Sequence, residues 1–128
     1  METTPQELGV EAEKYVAGVL RAKGYAVSSV SKYKAPFDLF CNGKRIEVKV
    51  ARVNASLKWS VNIHRHGKLN EGSVDAYIFL LDFRHLDKKK PLVLLRKAPI
   101  ECCTLTYSLD SLLTIHHKDI ENWSVLEN

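Results

Sequence analysis

Residues 36–50 read PFDLFCNGKRIEVKV, two short apolar runs joined by Asn42 and Gly43. An Asn-Gly pair between β-prone runs is the strongest short-range signal for a hairpin with a two-residue type I′ turn, because both turn residues need positive φ. A two-residue loop also fixes which residues of the two strands face each other. The predicted pairs are Phe40 with Arg45, Leu39 with Ile46, and Asp38 with Glu47.

The predicted hairpin has two different faces, because successive side chains of a strand point to opposite sides. The apolar face, expected to join the core, carries Leu39, Cys41, Ile46, Val48 and Val50. The charged face carries Asp38, Arg45, Glu47 and Lys49. The chemistry of this chain is therefore expected on the charged face.

Asp38 and Glu47 form an unusual cross-strand pair. Directly opposed residues have Cβ atoms about 4.5–5.5 Å apart, and like charges at that distance are destabilising. A divalent cation such as Mg²⁺ would remove the conflict, since it binds one or two carboxylates and leaves its other positions to water and substrate phosphates. Lys49 would then lie where an ammonium group can meet a phosphate oxygen. The alternative is an ordinary amphipathic hairpin with a solvated charged face, in which Lys49 pairs with Glu47.

The same residues carry a family resemblance. The pattern Asp-x8-Glu-Val-Lys, preceded by Pro36 and Phe37, resembles the core signature of the PD-(D/E)XK nuclease superfamily, which includes restriction endonucleases, Holliday junction resolvases and some homing endonucleases. The resemblance extends upstream, to a helix that opens with Gly-x3-Glu and is followed by Gly-aromatic and a strand. Those upstream residues are Gly9, Glu13, Val16, Leu20, Gly24, Tyr25, Ala26 and Val27. The extra Phe37 before Asp38 departs from the family pattern without removing a functional group.

This resemblance implies an α/β fold with a restriction-endonuclease-like core, in which an N-terminal helix is followed by a mixed central β-sheet flanked by helices. It implies that Mg²⁺ or Mn²⁺ is bound by Asp38, Glu47 and the main-chain carbonyl of Val48, and that Lys49 is catalytic. An acidic residue of the first helix would complete the site. Helical periodicity leaves Glu11 and Glu13 equally placed on opposite flanks of the apolar stripe, and the family pattern favours Glu13.

The rest of the chain is consistent with a single domain over residues 1–128. A capping-box pattern at residues 4–7 and Gly24 predict a helix over residues 5–23, and residues 25–30 are expected to form the first strand. Alternation over residues 58–64 predicts a half-buried strand whose polar face continues the catalytic one. The apolar runs at residues 75–83 and 91–95 indicate strands covered on both faces. Residues 104–109 are strand-like.

Basic residues are concentrated in the middle of the chain, where residues 31–100 carry fifteen Lys and Arg against six Asp and Glu. Neutralising backbone phosphates releases counterions and gives sequence-independent affinity for DNA. The residues expected to contact DNA are Lys32, Lys34, Arg52, Lys58, Arg65 and Lys68. The run at residues 88–90 is interpreted instead as a solvated hairpin tip.

No stretch is long and apolar enough to span a bilayer, and the N-terminus lacks the basic start and apolar core of a signal peptide, so a cytoplasmic location is expected. The three cysteines have neither disulfide-scaffold density nor a metal-binding spacing.

Together these features predict a divalent-metal-dependent DNA endonuclease that hydrolyses phosphodiester bonds, with structured or branched DNA among its candidate substrates. By analogy with its resolvase-like relatives it would act as a homodimer, because one small domain offers one centre. Two alternatives stay open: a Holliday junction resolvase, and a non-catalytic nucleic-acid-binding module that keeps the nuclease fold.

Overall fold

The protein packs an N-terminal helix against one face of a five-stranded mixed sheet. A computed structural model describes residues 5–29, 38–51, 53–54, 56, 58–63, 74–81, 91–98, 100 and 104–127. The helices are α1 (Pro5–Ala22) and α2 (Leu109–Leu113), and two 3₁₀ turns follow at His117–Asp119 and Trp123–Leu126. The strands are β1 (Val27–Ser29), β2 (Leu39–Cys41), β3 (Lys44–Ala51), β4 (Lys58–Asn62), β5 (Ala76–Leu81), β6 (Leu92–Lys97) and β7 (Thr104–Ser108).

The central sheet has the strand order β1-β2-β3-β5-β6. Its neighbouring strands are antiparallel except for β3 and β5, which run parallel. A parallel pair requires a crossover between the two strands, and here the chain between β3 and β5 includes β4. The predicted α/β class with an N-terminal helix and a mixed central sheet is therefore confirmed.

The β2–β3 hairpin has the turn and the register that the sequence predicts. Asn42 and Gly43 have φ values of 53° and 81°, as a type I′ turn requires. Leu39 pairs with Ile46, Phe40 with Arg45, and Cys41 with Lys44. The Asp38 N–H donates to the Ile46 carbonyl at 2.9 Å although Ile46 already pairs with Leu39, so the chain departs from the predicted pairing of Asp38 with Glu47 at this point.

Helix α1 covers the apolar face of this hairpin. It begins at Pro5, and after its end at Ala22 the chain turns through Gly24, whose φ is 94°. Its apolar stripe packs against the hairpin and the inner face of the central sheet. The shared core includes Ala12, Val16, Ala17 and Leu20 of α1 and Leu39, Cys41, Ile46 and Val48 of the hairpin.

The other face of the central sheet is covered by β4, β7 and α2. A second apolar cluster joins Tyr77 and Phe79 of β5 to Val61 of β4, Tyr107 of β7 and Leu112 of α2. Every residue of β5 is buried, as expected for a strand covered on both faces.

One expectation about β4 is wrong. This strand pairs with β7 in a separate two-stranded sheet, and its described contacts with the chain after β3 are an isolated bridge between Val53 and Trp59 and hydrogen bonds between Asn54 and Lys58. Its polar face therefore does not extend the charged face of the hairpin. Alternation identified β4 as a strand, but local alternation carries no information about the pairing partner.

Two smaller findings complete the fold. Strand β1 begins at Val27, two residues after the start of the predicted strand over residues 25–30, and Val30 lies outside the described residues. Among the residues that the structure describes, no helix is long and apolar enough to cross a membrane.

Candidate active site

Two carboxylates stand out by their burial. Within the described part of the chain, the buried polar or charged side chains are Asp38, 7% exposed, and Glu47, 1% exposed. Burying a carboxylate is expensive unless it is paired, hydrogen-bonded or bound to a metal. Both members of the predicted metal-binding pair thus occupy the environment that such chemistry needs.

The side chain of Asp38 lies along the edge of β3. Its Oδ2 accepts a hydrogen bond from the N–H of Val48 at 2.9 Å, and its own N–H donates to Ile46. The N–H and C=O of one strand residue point to the same edge, so the carbonyl of Val48 faces the edge where Asp38 lies. This geometry brings a carboxylate and a main-chain oxygen together at one side of β3.

Glu47 and Lys49 lie on the sheet face opposite α1. They pair with Tyr77 and Phe79 of β5, whose rings belong to the second apolar cluster. The Lys49 Nζ lies 3.7 Å from Glu47 Oε1, and the Lys49 side chain is 19% exposed. The contact between Lys49 and Glu47 that the alternative interpretation expected is therefore present. Glu47 is nevertheless buried, which a solvated amphipathic face does not explain.

Tyr77 is a neighbour of the site that sequence reasoning missed. It is 2% exposed and pairs with Glu47. Burial raises the pKa of the Tyr77 phenol, and the negative charge of Glu47 raises it further. Tyr77 is therefore a neutral phenol beside the carboxylate at physiological pH. Its place could not be read from the sequence, because the pairing of β3 with β5 is non-local.

A second residue that the sequence did not reveal is Asp75, which binds the start of β3. Its Oδ2 accepts hydrogen bonds from the main-chain N–H of Arg45 at 2.8 Å and from Arg45 Nε at 3.0 Å. Arg45 Nη2 donates to Oδ1 at 3.0 Å. These bonds, led by the guanidinium, lower the pKa of Asp75 to about 2. The Asp75 carbonyl also accepts the N–H of Ala98, so one residue ties β3, β5 and the end of β6 together.

The acidic residues of α1 remain candidates. Glu11 and Glu13 are both half-buried. Since α1 packs on the apolar face and Glu47 lies on the other, an α1 carboxylate has to approach the site around the edge of β3. A cavity of about 350 Å³ opens beside α1, and its described lining residues are Glu7, Val10, Glu11 and Lys14. Glu13 does not line that cavity, and its place in the site stays a prediction.

The oxygen donors at β3 suit a hard cation. In the described part of the chain, no three side chains of His, Cys, Asp or Glu gather closely enough to hold a metal. Mg²⁺ does not require such a cage, because it usually takes one or two carboxylates and keeps several waters. Asp38, Glu47 and the carbonyl of Val48 fit that mode of binding.

The residues predicted to contact DNA are mostly outside the described part of the chain. Lys58, the first residue of β4, is exposed. The remaining candidates, Lys32, Lys34, Arg52, Arg65 and Lys68, lie outside the described residues, as do residues 88–90.

Comparison with known proteins identifies a fold rather than a family. No family model and no curated protein matches the sequence. Among solved structures, the chain is similar to the bacterial homing endonuclease I-Ssp6803I, with a TM-score of 0.75 and 11% sequence identity. The match covers 98% of this chain and 92% of that one. The protein therefore has a nuclease-like α/β fold.

Proposed function

We propose that this protein is a divalent-metal-dependent DNA endonuclease of the PD-(D/E)XK type, which hydrolyses phosphodiester bonds. The observation that carries the proposal is the burial of two carboxylates, Asp38 directly before β2 and Glu47 in β3. Burying two ionised carboxylates lowers the stability of the folded protein unless their charge is compensated. A bound cation would offset that free-energy cost. The nuclease-like fold supports the same conclusion independently of these residues.

Asp38, Glu47 and the Val48 carbonyl would hold Mg²⁺ or Mn²⁺. Such an ion, when bound, lowers the pKa of a water ligand and polarises the phosphoryl oxygens. The protein contributes a fixed set of oxygens: the Val48 N–H orients Asp38, and the pairing of β3 with β5 fixes Glu47.

Lys49 would orient the attacking water and stabilise the negative charge that develops on the phosphate. Its present contact with Glu47 keeps the ammonium beside the proposed metal ligands. Glu13 would act through a water molecule at the edge of the site.

DNA would be held by the basic residues of the central segment, including Lys58. Cutting both strands requires two centres, so we propose a homodimer. The likeness to a homing endonuclease favours duplex DNA as the substrate over a four-way junction.

The direct test is cleavage of a panel of duplex, flap, single-stranded and four-way-junction DNA with Mg²⁺, with Mn²⁺ and with chelator. We expect metal-dependent cleavage that is lost in Asp38→Asn and Glu47→Gln. The matched control is Asp110→Asn, a neutralised exposed carboxylate on α2, which should cleave normally. Preference for the junction would indicate a resolvase. Binding of DNA without cleavage of any substrate would indicate the non-catalytic module.

A further inference from the structure

A cavity on the far edge of the central sheet is lined by three basic residues. It has a volume of about 410 Å³ and lies between β6 and the two C-terminal 3₁₀ turns. Arg96 and Lys97 come from the end of β6, and Lys118 comes from the first 3₁₀ turn. We refer to Arg96, Lys97 and Lys118 as the β6-edge cluster.

The members of the cluster have no counter-ion among the described residues; Lys14 and Lys58 share that property, but they do not line this cavity. Arg45 pairs with Asp75, Lys49 contacts Glu47, and Lys23 lies 4.7 Å from the centre of the Trp123 ring. Within the described part of the chain, neither an ion pair nor a side-chain hydrogen bond involves any member of the β6-edge cluster. Three cations around one cavity repel each other, and an anion in the cavity would relieve that repulsion.

One carboxylate also borders the cavity, and it faces a different neighbour. Asp119 Oδ2 lies 3.8 Å from Nδ1 of His116, and the Asp119 side chain is only 13% exposed. The lining therefore keeps an excess of positive charge.

The main chain of β6 adds a hydrogen-bond donor to the same cavity. The C-terminal segment covers the start of the β6 edge, where Glu121 N–H donates to the Val93 carbonyl at 2.8 Å and Ile120 bridges to Leu94. In such an antiparallel bridge the N–H of Leu95 faces the Asp119 carbonyl. The N–H of Lys97 points to the same edge and lies beyond the bridge, and Lys97 lines the cavity. An outward N–H beside cationic residues is a favourable setting for an oxyanion.

We propose that the β6-edge cluster binds a phosphate group, either as a backbone phosphate of DNA or as a free phosphate ion. If the phosphate group belongs to DNA, the inference rests on the proposed function and adds a second region of the protein that contacts DNA. Glu47, Tyr77 and Arg96 occupy one row across three neighbouring strands, so Arg96 lies about 10 Å from Glu47 along the sheet. One turn of DNA is about 34 Å long, so one duplex has the length to contact both places.

The test compares a double variant of the cluster with a control at the other edge of the sheet. Lys97→Gln combined with Lys118→Gln removes two positive charges from β6 and the adjacent turn. Ser28→Asp combined with Ser29→Asp changes the net charge equally at two exposed positions of β1, the opposite edge strand. Lys97→Arg with Lys118→Arg keeps the charge and should behave as the wild type. Thermal unfolding of each variant checks that the fold is retained.

The first measurement is the salt dependence of duplex DNA binding in chelator, so that no cleavage is involved. Loss of the cluster should reduce the slope of log K against log salt by about 0.9 for each phosphate contact removed, so by about 1 to 2 in total. The Ser28 and Ser29 control should keep the wild-type slope.

The second measurement uses inorganic phosphate and follows the amide signals of Leu95 and Lys97 by nuclear magnetic resonance. Phosphate should shift these signals in the wild type and not in the glutamine double variant. A reduced salt slope of DNA binding in the glutamine double variant indicates that the bound phosphate group belongs to the DNA backbone. Shifted amide signals in the wild type with an unchanged slope in the variant indicate that the cluster binds free phosphate. Unshifted amides together with a slope equal to that of the control would overturn the proposal. Both measurements omit divalent metal, so a failure of the proposed nuclease activity would leave them interpretable.

Discussion

At the scale of single residues, burial is what separates this hairpin from an ordinary amphipathic one. Opposed carboxylates on a solvated face would repel each other weakly and contribute little. Glu47 is instead buried on the sheet face that carries the second apolar cluster, with Tyr77 beside it, and the Asp38 carboxylate accepts a hydrogen bond from the Val48 N–H. Burial of ionised carboxylates costs stability, and under the proposed function a bound cation would offset that cost.

Lys49 allows the catalytic and structural interpretations of its contact with Glu47 to be distinguished. Lys49→Met keeps the metal ligands and most of the side-chain length, so metal affinity should stay unchanged while turnover falls by roughly 100-fold. Metal affinity is measured by calorimetry and turnover at saturating DNA. Lys58→Met is the matched control, since it should weaken DNA binding and leave turnover at saturation intact. Normal turnover in Lys49→Met would leave Lys49 with only a structural role.

Asp75 should make stability depend on pH in the acid range. Its pKa is about 2 in the folded protein, below the ordinary value of 3.8, so its contribution is complete above about pH 4 and is lost as the pH falls toward 2. The side chain is 38% exposed, so solvent screening keeps the effect modest. Urea unfolding between pH 2 and pH 7 should show a shallower acid loss in Asp75→Asn than in the wild type. Asp110→Asn should follow the wild-type profile, and identical profiles for all three proteins would refute the assignment.

At the scale of elements, the parts that the sequence predicted best are those defined by local rules. The Asn42-Gly43 turn fixed the register of β2 and β3, and the apolar period of α1 fixed which side of the helix is buried. The same turn also connects to the end of the chain, because Asn42 Nδ2 donates to the Leu126 carbonyl at 2.9 Å. The turn that sets the register of β2 and β3 is therefore also bonded to the C-terminal segment.

Two glycines with open surroundings provide a matched test of that turn. A Cβ on either Gly43 or Gly18 would meet no atom within 4 Å, but Gly43 has a φ of 81° and Gly18 lies inside α1. Gly43→Ala should destabilise the protein by about 1–2 kcal/mol, through backbone strain alone. Gly18→Ala should stabilise it by about 0.5–1 kcal/mol, because glycine is a poor helix former. Chemical denaturation measures both, and equal effects would mean that the turn conformation is wrong.

The choice between Glu13 and Glu11 is also decided at the level of an element, by which flank of α1 faces the edge of β3 where Asp38 lies. The family pattern favours Glu13, so Glu13→Gln should reduce turnover by about tenfold or more while Glu11→Gln has little effect. The cavity beside Glu11 makes the opposite result informative. If Glu11→Gln is the damaging change, the helical carboxylate of the site is Glu11.

At the scale of the whole molecule, the sequence predicted the elements more successfully than their partners. The run at β5 is buried throughout, so it carries no alternation that would reveal its two faces or its parallel register with β3. The pairing of β4 with β7 joins segments that are far apart in the chain, which no local pattern encodes. For the same reason Asp38, Glu47 and Lys49 could be proposed from the hairpin alone, whereas Tyr77 and Asp75 could not.

The most direct test of the central claim is calorimetric titration of Mg²⁺ or Mn²⁺ into the wild type and into Glu47→Gln and Asp38→Asn. Both variants keep side-chain size and remove one negative charge, and the amide introduced by Asp38→Asn retains an oxygen that can accept the Val48 N–H. We predict a saturable site in the wild type that each substitution weakens by about tenfold or more, with Asp110→Asn binding as the wild type does. Undiminished binding in both site variants would contradict the claim that these buried carboxylates form a metal centre.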